Sequence, residues 1–133
     1  DEFAKDVVGK QMARSADSIG ANIAESFGRY NFGEKLQFLY YSRGSLFETK
    51  YWLNRTQIRG LMNSGEVQEY VDGLTSLARQ LNAFASGLKS VRAEQPKKKP
   101  AAVRESAPEY LITDPDEFPL PLFSEDDLNL LNS

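Results

Sequence analysis

The side chains able to do chemistry in this sequence are arginines, lysines and carboxylates set at helical spacings. Arg43 and Lys50 lie seven residues apart, and Arg55 and Arg59 lie four apart, so each pair shares one side of a helix. Cations placed this way neutralise phosphates, which makes Arg43, Lys50, Arg55 and Arg59 candidate nucleic-acid-binding residues. Glu25 and Glu48 are the carboxylates nearest them on the patterned stretches. A glycosidase-like acid/base dyad would use two such groups, but arginines stand close to each, and pairing with Arg29, Arg14 or Arg55 is the favoured reading. The segment "FGRYNFGE" at residues 27–34 lacks the lysine and hydroxyl of a phosphate-binding P-loop. Among 133 residues there is no histidine and no cysteine. That removes the commonest general base, the commonest zinc ligand, thiolate metal sites and disulfides. The residues therefore point to no catalytic centre, no metal and no cofactor, and to a protein that is not an enzyme.

The charges are unevenly distributed. The net charge is −3, yet residues 96–133 carry four basic and eight acidic side chains, and residues 7–59 carry eight basic and four acidic. A weakly basic body thus bears an acidic tail. Such a body suits RNA or DNA as a partner. The lack of cysteine fits a reducing, cytoplasmic setting. No apolar run approaches the ~20 residues of a membrane span.

Three helices must position these groups. Val8, Met12, Ala16, Ile19, Ile23 and Phe27 recur at three and four, which predicts a first helix over about 3–28. A second is predicted over about 34–60, after Gly28 and Gly33 and ending near Gly60. Asn63 with Glu66 forms a capping box that opens a third, over about 64–93, along Val67, Val71, Leu74, Leu77, Leu81, Phe84 and Leu88. The expected class is all-α, an antiparallel up-and-down bundle in a domain spanning 1–95.

The first helix has an unusual stripe. Gln11, Ser15, Ser18, Asn22, Glu25 and Arg29 step by four and three, and every one is polar. The stripe lies about a quarter-turn from the apolar one and away from the outer face of Lys10, Arg14 and Asp17. It reads as an interhelical polar seam, whose hydroxyls and amides set register and partner. The second helix is apolar nearly all round, a pattern that needs burial on most sides. Tyr40, Phe47, Tyr51 and Trp52 are accordingly its candidate oligomer-interface residues.

These blocks resemble a known family. "QMARSADSIGANIAESFGR" followed by "FLYYSRGSLFETKYWL" is similar to the 23S rRNA-intervening-sequence proteins, often called four helix bundle proteins. The shared pattern falls on Gln11, Arg14, Ser18-Ile19, Asn22 to Glu25, Gly28-Arg29 and Gly44 to Glu48, within about residues 3–92. Ser26 stands where the family usually has glycine. The resemblance implies a four-helix bundle, a ring-like homopentamer, no enzyme activity, and a nucleic-acid-associated accessory or adaptor role. It also implies a further helix ahead of the first, absent from a sequence that opens at Asp1.

Beyond Pro96 the composition changes. "PKKKPAAVRES" reads as a basic linker, and residues 96–133 as an extended acidic tail outside the resemblance. Its apolar clusters, Tyr110-Leu111-Ile112 and Leu120 to Phe123, are too widely spaced by acids and prolines to build a core of their own. They suit a groove on a neighbour or a protein partner instead. Ser124 is placed to cap a short final turn bearing Leu128 and Leu131. The alternative function is accordingly a protein-interaction scaffold whose tail recruits a partner.

Overall fold

The structure, a computed structural model, describes residues 1–94 and 120–133. The linker and the Tyr110-Leu111-Ile112 cluster lie outside the described residues. Four helices follow in chain order: α1 (Glu2–Phe27), α2 (Phe32–Ile58), α3 (Ser64–Glu94) and α4 (Glu125–Asn132). No strand occurs among the described residues. The chain is all-α, as the periodicity predicts.

Local chemistry fixes the ends. Asn31 caps α2 by accepting a hydrogen bond from the Gly33 amide at 2.8 Å. Gly33 therefore sits inside the first turn of α2 rather than in the connection. Gly60 terminates that helix with φ of +69°, a left-handed conformation that costs a residue without Cβ nothing. Its N–H reaches the Gln57 carbonyl while the Leu61 N–H reaches Thr56, which satisfies two end carbonyls together. Asn63 and Glu66 exchange the predicted capping-box bonds at the start of α3, at 2.9 and 3.2 Å. Ser124 and Asp127 do the same for α4, at 2.8 and 3.1 Å.

The largest apolar cluster draws on every helix. Ile19 of α1, Leu36, Leu39 and Leu46 of α2, and Ala78, Leu81 and Ala85 of α3 are buried in it. Leu122, Phe123, Leu128 and Leu131 complete it from the C-terminal segment. A second cluster joins Leu53 to Val67 and Val71 at the other end of α2, with Met12 and Met62 against it. The end of the tail therefore adds to the core of the body. This corrects the sequence expectation: residues 125–132 are helical rather than extended, and Leu122 and Phe123, expected on a neighbour or a protein partner, pack in a groove on the chain's own surface. An eight-residue helix is marginal in isolation, so α4 depends on that packing.

Candidate functional site

Arg43, Phe47 and Lys50 step by four and three along α2 and face the C-terminal segment, with Tyr40 on the same side. The Arg43 guanidinium donates through Nε to the Leu122 carbonyl at 2.8 Å. Its Nη2 lies 3.4 Å from both oxygens of Asp127. The same group stacks over the rings of Phe47 and Phe123, at 5.0 and 5.8 Å to their centroids. One planar cation thereby reads a backbone carbonyl, a carboxylate and two aromatic faces, a combination lysine cannot reproduce. Lys50 is buried, and its Nζ donates to the Ser133 carbonyl at 2.8 Å.

These contacts show in the ionisation of the groups. Burial pushes the Lys50 ammonium below its ordinary pKa. Burial pushes Asp127 upward, but hydrogen bonds from Ser124 and the charge of Arg43 outweigh it and hold the carboxyl below its ordinary value. Burial raises the Tyr40 hydroxyl, with Arg43 opposing and Asp127 reinforcing.

From the other side α3 contributes Asn82. Its Nδ2 donates to the Phe123 carbonyl and its Oδ1 accepts from the Phe123 amide, both at 2.8 Å. Such a two-point grip on one residue's backbone is how a side-chain amide holds an extended peptide. Phe123 itself is 1% exposed and stacks on Phe47 at 5.8 Å. Leu120 and Pro121 complete the contact by lining an open cleft with Ser86, Lys89 and Ser90. The site is thus a groove between α2 and α3 filled by residues 120–133.

The four candidate cations part company here. Arg43 and Lys50 meet in the groove, whereas Arg55 and Arg59 stay near the C-terminal end of α2. Arg59 is exposed at the helix cap. Arg55 lies over the Tyr51 ring at 5.7 Å, and its Nε is buried with no hydrogen-bond partner. The candidate interface residues divide in the same way. Tyr40 and Phe47 pack against the cluster that contains the C-terminal segment, so that face of α2 is covered within the chain. Tyr51 remains exposed, with Trp52 edge-on to it at 4.9 Å.

Of the polar stripe on α1, Ser15 and Ser18 hydrogen-bond to α2, whereas Glu25 and Arg29 are exposed. Ser18 Oγ is 2.8 Å from Ser45 Oγ. Ser15 is fully buried, donates to the Met12 carbonyl, and lies 3.0 Å from Thr49 Oγ1. Asn22 donates to the Ser18 carbonyl at 2.9 Å, inside α1. Glu25 pairs with Arg29 at 3.1 Å, and Arg29 covers the Phe38 ring. Gln11 accepts from Arg14, whose guanidinium also pairs with Glu48. Both candidate carboxylates are therefore tied to arginines. Two buried hydroxyls off the stripe join the same interface: Ser42 donates to the Ile19 carbonyl and Ser26 to the Lys35 carbonyl, each at 3.0 Å.

Sequence reasoning missed Asn82, Asp127 and Ser42. Asn82 binds backbone 41 positions away, a kind of partner that leaves no residue pattern. Asp127 was visible only as one of three acids after Ser124.

The sequence model of one family, described as 23S rRNA-intervening sequence protein, matches residues 1–83. The chain belongs to that family, which is not a known enzyme family. The match takes in α1, α2 and α3 as far as Ala83, and leaves out the C-terminal segment. No curated protein and no solved structure matches the chain. No described helix is long and apolar enough to cross a membrane.

Proposed function

We propose, from membership of the 23S rRNA-intervening sequence protein family, that this chain is a non-enzymatic, homo-oligomeric adaptor that associates with nucleic acid through α2. Its own acidic segment acts as the competitor. The observation that carries the reading is that Arg43 and Lys50 are both held by the C-terminal segment, through the Asp127 carboxylate and two carbonyl oxygens. An anionic strand offers the same partners: oxygens for a guanidinium and an ammonium, and flat bases for the Phe47 ring. Release of the segment uncovers this surface. In a cytoplasmic homopentamer, the assembly that the family resemblance implies, five copies would present it around a ring and multiply a weak single contact.

Fluorescence anisotropy with mixed-sequence RNA and DNA, single-stranded and duplex, tests this on the full chain. Phe123→Ala loosens the segment and leaves every cation in the chain, removing only the ring contact to Arg43. It should bind more tightly than the wild type, and both should weaken steeply as salt rises. If Phe123→Ala keeps its helical circular dichroism but binds none of the probes at low salt, the reading fails.

A second reading, the protein-interaction scaffold, has its own support in the Asn82 grip on the Phe123 backbone. A groove built for phosphates has no use for it. Under that reading Asn82→Ala weakens peptide docking, and no nucleic acid binds in any variant.

A further inference from the structure

We infer that the C-terminal segment is exchangeable between copies. Leu120–Ser133 of one chain seats in the α2/α3 groove of a second copy, where that copy's Asn82, Arg43 and Lys50 grip it. The inference rests on the pairing of groove and segment and on the homo-oligomer proposed above, and is independent of whether nucleic acid binds.

The first argument is the tether. Leu120 and Pro121 lie against Ser86, Lys89 and Ser90, four to eight residues before the end of α3 at Glu94. At about 1.5 Å per helical residue, that end is roughly 6–12 Å away along the axis. Residues 95–119 join the two points. An interval of that length reaches up to about 80 Å, several times the gap and enough to span a neighbouring bundle. Compared with a tether of about six residues, which would suffice, it lowers the effective concentration of the segment at its own groove about eightfold. The covalent link therefore favours the chain's own groove about eightfold less than a minimal tether would.

The second argument is the interface. Every contact that holds the segment is non-covalent: the Asn82 pair, the Arg43 and Lys50 bonds, and the burial of Leu122, Phe123, Leu128 and Leu131. All of them form identically whichever chain supplies the segment, which is the condition for swapping an element between protomers. The undocked state is the costly one. It strands an eight-residue helix that is marginal alone and opens the main apolar cluster to water. Transfer from groove to groove keeps that burial intact, and in an assembly a second groove is always near.

Because the sequence has no cysteine, a single introduced thiol is unique. Ser86 and Pro121 are both exposed and line the same cleft. A chain carrying Ser86→Cys is co-expressed with a differently tagged chain carrying Pro121→Cys, and the pair is treated with a short bismaleimide. Exchange predicts a cross-linked band at twice the chain mass that contains both tags and is lost when Phe123→Ala is added to the Pro121→Cys chain. The double variant, with both cysteines in one chain, is run in parallel. If it cross-links only within itself and the mixed chains do not cross-link, the exchange is overturned while the groove stands. If neither cross-links, and Lys89→Cys with Leu120→Cys also fails, the groove-and-segment pairing is itself wrong.

Discussion

Replacing Phe123 with alanine isolates the energetics of the docked segment. The ring is 1% exposed, stacks on Phe47, and lies under the Arg43 guanidinium. Truncating a buried phenylalanine costs about 3–5 kcal/mol. If the segment docks as its own unit, the loss appears first in the docking equilibrium, which shifts by roughly two to nearly four powers of ten. The body then loses no more stability than the docking free energy, because undocking becomes the easier route. Amide hydrogen exchange separates these events. The α4 amides of Leu128–Leu131 should exchange at least a hundredfold faster in Phe123→Ala, up to the unprotected limit. Amides of Leu46 and Leu53 in α2 should change far less. Equal acceleration at α4 and α2 would mean that segment and body unfold as one unit. Unchanged α4 exchange would mean that Phe123 is not an anchor. Either result refutes the reasoning.

Three further outcomes are expected. Asp127 is held below its ordinary pKa, so its contribution to docking is fully present above the ordinary aspartate range and is lost as pH falls through the lowered value; α4 exchange, corrected for intrinsic rates, should rise over that window, and Asp127→Asn should remove the dependence. Ser15→Leu forces a large side chain into a fully buried contact with Thr49 and should cost about 1–3 kcal/mol in thermal unfolding, whereas Asn22→Leu, at a half-buried site bonded only within α1, should cost less. Light scattering after size exclusion should give several times the 14.9 kDa chain mass; Tyr51→Ala with Trp52→Ala should lower that mass and keep the helices, while Phe47→Ala should speed α4 exchange and leave the mass unchanged, and a monodisperse wild-type monomer would refute the oligomer.

The helices were legible because their signals are local. Apolar spacing at three and four, the Asn63–Glu66 box and Gly60 each act within a turn, and the boundaries fall within two residues of those the sequence suggests. The stripe of Ser15 and Ser18 was legible for the same reason, since a polar row beside an apolar one has a direction. Position around α2 was not. A helix apolar on nearly every side has no preferred face, so nothing local told Phe47, which meets the chain's own segment, from Tyr51, which stays exposed. Arg43 and Lys50 were correctly placed on one side, but what that side faces depends on residues some eighty positions later. Ser124 signalled its cap, and the groove that makes the capped turn persist arises only when α2 and α3 pack.

Hydrogen exchange of the wild-type chain with and without a saturating RNA probe tests the central claim most directly. If acidic segment and nucleic acid compete for α2, RNA should speed exchange at α4 and slow it between Arg43 and Lys50. RNA that binds while α4 stays as protected as in the free protein would contradict the account.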